Sequence, residues 1–197
     1  PEKTIKGHTQ NVSTLSFDLH NFNKGDTVQI LLDEMAPINY VLKSGDDKIY
    51  MAKSNRWTIV EKPAVTEKGP HRGGTFKEAF NHRMVFVYGT GGNAAENKWA
   101  YEKAVYDAEV WYYRGNGAVD IVADKNFNPA RYADRGIIIY GNAQTNRAWK
   151  KLLKDCPVQV QQGGISIGDK KYTGDDLAAY FMWPRADSER ASVAVVS

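Results

Sequence analysis

The sequence predicts an α/β protein in two parts: a small antiparallel β module, followed by a mostly parallel, three-layer α/β domain. Three observations support this prediction. Hydrophobic residues alternate with a period of two through residues 1–62, with no helical period between them. Residues 63–75 contain two prolines and three glycines without an apolar period, which is typical of a linker. Across residues 76–197, apolar runs alternate with helical patterns.

The front module shows five candidate strands. In residues 12–19, Leu15, Phe17 and Leu19 fall on one face and polar side chains fall on the other, as in a half-buried strand. The other four candidates are residues 28–32, 40–42, 48–52 and 57–60. Turn-forming clusters separate several of them, so we expect antiparallel strands in a small sandwich or open sheet.

The back domain alternates strand and helix patterns. The predicted elements are a strand at 84–88, a helix at 94–113, a strand at 119–122, a short helix at 128–132, a strand at 136–140, a helix at 146–154 capped by Thr145, and a strand from 157. This order predicts a flavodoxin-like or Rossmann-like sheet with helices on both faces. Residues 165–183 show strand patterns without helices between them, which predicts an antiparallel extension.

Composition excludes several classes of protein. Of the 197 residues, 42% are hydrophobic and 25% charged, as in ordinary globular domains. The single cysteine, Cys156, excludes an intrachain disulfide. With 26 basic against 23 acidic residues, the charge balance predicts no nucleic-acid partner. No apolar run reaches the roughly 18 residues of a membrane helix, so we expect no membrane span.

The two ends of the chain suggest a piece of a longer polypeptide. The chain starts at Pro1 without a leader sequence, and residues 191–196 have a strand pattern with no turn after it. The alternative is a natural edge strand at the carboxyl terminus.

One loop is a candidate binding site. Gly89, Thr90, Gly91, Gly92 and Asn93 join a buried strand to a long helix. Free amides and the dipole at a helix start favour an anion, and ligands of open parallel sheets lie beyond the carboxyl ends of the strands. These residues therefore predict a phosphate or flavin mononucleotide (FMN) site. The alternative is a tight turn that needs glycine for its backbone angles, since the loop lacks a complete nucleotide-binding fingerprint.

Residues 164–168 match the G-x-S-x-G string of serine hydrolases. That motif needs a helix directly after Ser166 and a histidine further downstream. Turn or strand residues follow instead, and all four histidines precede Ser166: His8, His20, His71 and His82. We therefore expect a β-hairpin and predict no catalytic residue. The histidines also lack metal-ligand spacing, so no metal site is predicted.

Two other features have a structural interpretation. Cys156 has no cysteine or histidine nearby in the sequence, so we expect it to be buried and inert. Aromatic residues crowd one end of the predicted long helix: Tyr106, Trp111, Tyr112 and Tyr113. Packing of that helix against the sheet is the favoured explanation, and a stacking platform for sugars or bases is the alternative.

Several short strings resemble one bacterial group. They are residues 9–15, Trp57, 68–70, 75–80, 85–90, 139–143 with Asn146, 172–174 and 193–197. In this order the chain resembles the region downstream of the catalytic domain in large bacterial prolyl-oligopeptidase-like or esterase-like α/β-hydrolases. The resemblance covers most of the chain, but none of it matches the hydrolase domain that would hold the nucleophile, acid and histidine.

This resemblance implies a non-catalytic accessory region of an exported hydrolase, located in the periplasm or outside the cell. Its partner would be the hydrolase domain of the same polypeptide, and it could also form a homo-oligomer. Such a region would act by domain packing or by shaping substrate access, and would need no cofactor. The alternative function is a flavodoxin-like module that binds phosphate or FMN through residues 89–93.

Overall fold

The strands group into two separate units. The computed structural model describes residues 3–67, 69–71, 73 and 75–197. Within these ranges the strands form four sheets, two in residues 1–64 and two in residues 65–197. We call these parts of the chain unit 1 and unit 2.

The described part of unit 1 contains six strands. They are β1 (Thr4–Gly7), β2 (Thr14–Asp18), β3 (Thr27–Leu32), β4 (Ile38–Val41), β5 (Lys48–Lys53) and β6 (Trp57–Val60). One sheet has the order β1-β3-β4 and the other β2-β5-β6. The five predicted strands are present. The sequence missed β1, which pairs in parallel with β3, so the module is not wholly antiparallel as predicted. Residues 8–26 are long enough for the crossover that parallel pairing requires.

Both sheets of unit 1 contribute to one apolar core. The alternation predicted for β2 is confirmed, because Leu15 and Phe17 are half-buried while their neighbours in the strand are exposed. The buried residues of this core are Leu19, Val28, Ile30, Leu32, Leu42, Ile49, Met51 and Trp57.

Asp33 accepts several hydrogen bonds that connect distant parts of unit 1. It directly follows β3 with a left-handed backbone (φ 55°), and its side chain is mostly buried. One carboxylate oxygen accepts hydrogen bonds from Lys53 Nζ at 2.7 Å and Trp57 Nε1 at 2.8 Å, and Thr9 binds both oxygens. Hydrogen bonds from Lys53, Trp57 and Thr9 hold the pKa of Asp33 well below its usual value.

Unit 2 contains the remaining strands and both α-helices of the described chain. They are β7 (Met84–Tyr88), α1 (Ala94–Gly115), β8 (Asp120–Ala123), β9 (Gly136–Tyr140), α2 (Ala148–Leu152), β10 (Val158–Gln161), β11 (Gly164–Ile167), β12 (Lys170–Thr173), β13 (Tyr180–Pro184) and β14 (Ser192–Val196). A five-stranded sheet has the order β13-β14-β9-β7-β8. Its strands are parallel except β13, which runs antiparallel to β14.

The two faces of this sheet are covered differently. On one face, Phe86 and Ile138 pack with Ala100 and Ala104 of α1 and with a 3-10 helix at Phe76–Phe80. On the other face, the core includes residues of α2 and β10 together with sheet residues such as Val85, Ile137 and Val193. The central strands β7 and β9 are therefore buried along nearly their whole length, as their continuous apolar sequences predicted.

The prediction of a three-layer flavodoxin-like or Rossmann-like fold is wrong. Among the described residues α1 is the single long helix, and the sheets are mixed or antiparallel. The helix predicted at 146–154 has only five residues, and the one at 128–132 is a 3-10 turn, Pro129–Tyr132. The helix ends at Leu152 because Leu153 leaves the α region (φ −127°, ψ 15°).

Two further details depart from the sequence prediction or extend it. Thr145 does not cap α2, since its hydroxyl accepts a hydrogen bond from the Asn142 amide at 3.0 Å. The tail does contain antiparallel strands: β10, β11 and β12 form a separate sheet, and β13 forms the edge of the five-stranded one.

Asp33 makes the stability of unit 1 depend on pH. Since its folded pKa lies below the unfolded value of about 3.9, its contribution is present above about pH 4 and is lost as the pH falls further. We expect Asp33→Asn to lower the urea midpoint at pH 7 and to flatten its fall between about pH 5 and pH 2. Urea unfolding across this range measures both effects. Asp47→Asn, an exposed site in the same unit, is the control, and equal pH profiles for wild type and Asp33→Asn would contradict the assignment.

Candidate functional site

The predicted anion site lies where β7 and β9 end side by side. The chain passes from β7 to β8 on one side of the sheet and only later to β9 on the other. In open α/β sheets, ligands enter a crevice outside the carboxyl ends of the strands at such a reversal. The loop at 89–93 follows β7, and residues 141–147 follow β9, so a crevice of this kind would lie between these two segments.

The two segments are hydrogen-bonded to each other. The amide of Gly89 donates to the carbonyl oxygen of Tyr140 at 3.0 Å, and that of Gly91 donates to the carbonyl oxygen of Thr145 at 2.8 Å. The Gly92 amide donates to Asn97 Oδ1 at 3.0 Å. These three amides, which the sequence assigned to a ligand, are satisfied by the chain itself.

The start of α1 already has a negative charge beside it, the carboxylate of Glu96. Asn93 and Glu96 form a capping box: the Asn93 amide donates to Glu96 Oε2 at 2.7 Å, and Asn93 Oδ1 accepts from the amides of Ala95 and Glu96. Gln162 donates to Glu96 Oε1 at 2.6 Å. The Gln162 side chain and the Asn93 amide lower the pKa of Glu96, which keeps a carboxylate at the positive end of the helix dipole.

Close approach explains the glycines of this loop. A Cβ at Gly89 would lie 2.6 Å from the carbonyl oxygen of Thr145, and one at Gly91 would lie 3.1 Å from the same atom. Neither glycine has a left-handed φ, so backbone angles do not require glycine at these positions. Residues 141–147 therefore exclude a side chain at Gly89 and leave little room for one at Gly91.

Asn146 fixes the junction of the two strand ends. It is buried, and its Nδ2 donates to the carbonyl oxygens of Val87 at 2.9 Å and Tyr140 at 3.0 Å. Its Oδ1 accepts from the Ala148 amide at 3.0 Å, at the start of α2. One side chain thus connects β7, β9 and α2.

Sequence reasoning missed a polar cluster beside this junction. Asp124 is 1% exposed and accepts hydrogen bonds from the Thr90 hydroxyl at 2.5 Å and the Arg147 amide at 2.7 Å. The Arg147 guanidinium donates to the Thr90 hydroxyl at 3.0 Å. Nothing in the sequence brings these three residues together, because each follows a different strand. They connect the segments that follow β7, β8 and β9.

The other residues considered for catalysis or metal binding lie apart. Ser166 is in the middle of β11, opposite Gln159 and Lys171 of the flanking strands, and so lies in the predicted hairpin. His8 and His20 lie in unit 1, whereas His71 and His82 lie in unit 2. No group of three metal-binding side chains exists within the described ranges. The burial predicted for Cys156 is confirmed, and that burial raises the pKa of its thiol.

The aromatic end of α1 is not packed against the sheet as expected. Only Trp111 of the four predicted residues is half-buried. Tyr106, Tyr112 and Tyr113 are 60%, 63% and 85% exposed. Ala100 and Ala104 are the buried residues of α1, and the three tyrosines lie outside the face that they form.

Comparisons of the chain with protein-family models, curated proteins and solved structures gave no match. Within the described ranges, no helix combines the length and apolarity needed to cross a bilayer. The anion site stays a prediction for residues Gly89, Thr90, Gly91, Gly92 and Asn93. The internal hydrogen bonds of the loop argue against it.

The contact between Gly89 and Thr145 predicts a strong effect of a single methyl group. Gly89→Ala should destabilise unit 2 by roughly 1–3 kcal/mol because the neighbouring atom is backbone and cannot move aside. Gly7→Ala is the matched control, since its Cβ would meet Leu32 at an ordinary 3.5 Å. Urea unfolding of the two variants measures the difference, and equal stabilities would show that the 141–147 segment does not lie against the loop.

The same hydrogen bonds predict how the loop responds to ligands. We expect neither inorganic phosphate nor FMN to raise the melting temperature of the wild-type chain, because the amides of Gly89, Gly91 and Gly92 are already bonded. Differential scanning fluorimetry with phosphate, and calorimetry with FMN, measure this. A ligand-dependent rise that Gly91→Asp abolishes would instead establish the anion site.

Proposed function

We propose that this chain is a non-catalytic accessory region of a larger exported serine hydrolase, a peptidase or esterase. It packs against the hydrolase domain of the same polypeptide and stabilises that domain or shapes access to its active site. The proposal rests on the family resemblance of the sequence and on one structural observation, an exposed aromatic stripe on α1.

The stripe consists of Trp99, Tyr106 and Tyr113. These side chains are 43%, 60% and 85% exposed. Their spacing of seven residues places them on one face of the helix, along about 21 Å at 1.5 Å per residue. The buried residues Ala100 and Ala104 lie on the opposite side. The stripe therefore points away from the sheet of unit 2.

Exposed aromatic side chains on one face of a helix are typical of surfaces that another protein covers. Tyrosine and tryptophan are enriched at protein interfaces because they bury a large apolar area and still offer a polar group. A neighbouring domain of the same polypeptide is the partner that the resemblance suggests.

The first test concerns catalysis by the chain itself. A fluorophosphonate, which reacts with activated serines, should not label the isolated chain, and hydrolysis of a generic ester should be the same for wild type and Ser166→Ala. Mass spectrometry of the treated chain identifies any modified residue. Labelling at Ser166, with loss of ester hydrolysis in Ser166→Ala, would contradict the proposal.

The second test concerns the partner. The full reading frame should encode a hydrolase domain upstream with its own nucleophile elbow, and its absence would contradict the proposal. Given that domain, we expect it to bind the chain in trans and Tyr106→Ser with Tyr113→Ser to weaken this binding at least tenfold. Stability of the isolated chain should change by no more than about 0.5 kcal/mol per substitution.

Tyr172→Ser is the control, because Tyr172 is 47% exposed in β12 of the same unit and lies outside α1. Equal weakening by Tyr172→Ser and by the double variant would remove the stripe as the docking surface.

A further inference from the structure

A groove beside α1 has the features of a binding site that the proposed function does not use. It lies between α1, the 3-10 helix Phe76–Phe80 and the ends of β9, β13 and β14, and its volume is about 550 Å³. Small-molecule sites typically have volumes of about 300–1,000 Å³ and combine apolar walls with a few polar groups. The described residues that line the groove all belong to unit 2.

One wall of the groove is a continuous row of aromatic rings. Tyr180 packs against Phe76 with ring centroids 6.1 Å apart, Phe76 against Phe80 at 5.6 Å, and Phe80 against Trp111 at 5.6 Å. Tyr180 is 59% exposed, and the other three rings are half-buried. This row presents ring faces and edges against which a flat apolar ligand can stack.

The polar groups of the groove are arranged around one carboxylate. Asp107 Oδ1 pairs with Lys103 Nζ at 2.5 Å, and Asp107 Oδ2 accepts from the Tyr140 hydroxyl at 3.1 Å. Burial and the nearby Asp107 raise the pKa of Tyr140, so its hydroxyl stays a donor. Both carboxylate oxygens are thus engaged inside the groove.

Two further cations border the groove. Lys77 and Arg114 are exposed, and neither has an ion-pair partner among the described residues. Among the described lining residues, Lys77, Lys103 and Arg114 oppose the single carboxylate of Asp107. The groove therefore carries net positive charge and free N–H donors next to aromatic walls. Such donors bind a carboxylate or another oxyanion.

We propose that this groove binds a small aromatic anion, a flat ring system that carries a carboxylate. The ring stacks along the row from Tyr180 to Trp111, and the carboxylate pairs with Lys77 and Arg114. A neutral ring of the same shape gains the stacking but not the ion pairs, and an aromatic cation is repelled.

Isothermal titration calorimetry on the whole chain tests this with three probes of one ring system: 2-naphthoate, 2-naphthylmethanol and 2-naphthylmethylammonium. We expect 2-naphthoate to bind saturably and about tenfold more tightly than the alcohol, with the ammonium weakest. Phe76→Ala should weaken the acid and the alcohol alike. No saturable binding of 2-naphthoate, or equal affinities for the acid and the alcohol, would overturn the proposal.

Charge variants distinguish binding of the anion in this groove from its general attraction to a basic protein. Arg114→Gln and Lys77→Gln should each weaken 2-naphthoate about five- to tenfold and leave the alcohol unchanged. Both side chains are exposed, so the fold is retained, as circular dichroism will verify. Lys98→Gln is the control, because Lys98 is an exposed lysine of α1 outside the groove. Equal loss with Lys98→Gln would overturn the proposal.

Discussion

The side chain of Asn146 holds together the strand ends where a ligand of an open α/β sheet would enter. Its three hydrogen bonds connect β7, β9 and the start of α2 without leaving a polar atom of that amide unsatisfied. Buried polar groups stabilise a fold when all of them are paired and are costly otherwise. With Asn146 in place, residues 141–147 lie against the glycine loop, and a side chain at Gly89 would collide with the carbonyl oxygen of Thr145.

The surfaces around α1 are where we propose that unit 2 meets other molecules. The long helix α1 covers only part of one face of the five-stranded sheet, and the space beside it is the aromatic groove. The small side chains Ala100 and Ala104 bring α1 close to the sheet. The large rings of the helix therefore face either the groove, as Trp111 does, or solvent, as Tyr106 and Tyr113 do.

Sequence patterns predicted the elements better than their assembly. Continuous apolar runs identified β7 and β9, and alternation identified β2, because these signals depend only on which faces are buried. The strand–helix alternation suggested a second helical layer. The helical pattern at 146–154 did not reveal that α2 has only five residues.

Arg185 shows a different limit of sequence patterns. It is fully buried, paired with Asp187 and bonded to the carbonyl oxygens of Tyr132 and Arg135, some fifty residues earlier in the chain. Partners this distant leave no local signal. The glycines at 89–92 suggested a ligand for the same reason, since Thr145 lies far from them in sequence.

Amide hydrogen exchange at Gly89 and Gly91, followed by NMR, tests the central claim most directly. If both amides are bonded to the segment that follows β9, they exchange slowly, at rates close to those of the central strands β7 and β9. Exchange as fast as in an unstructured peptide would show that this edge of the sheet is open, and would contradict the account.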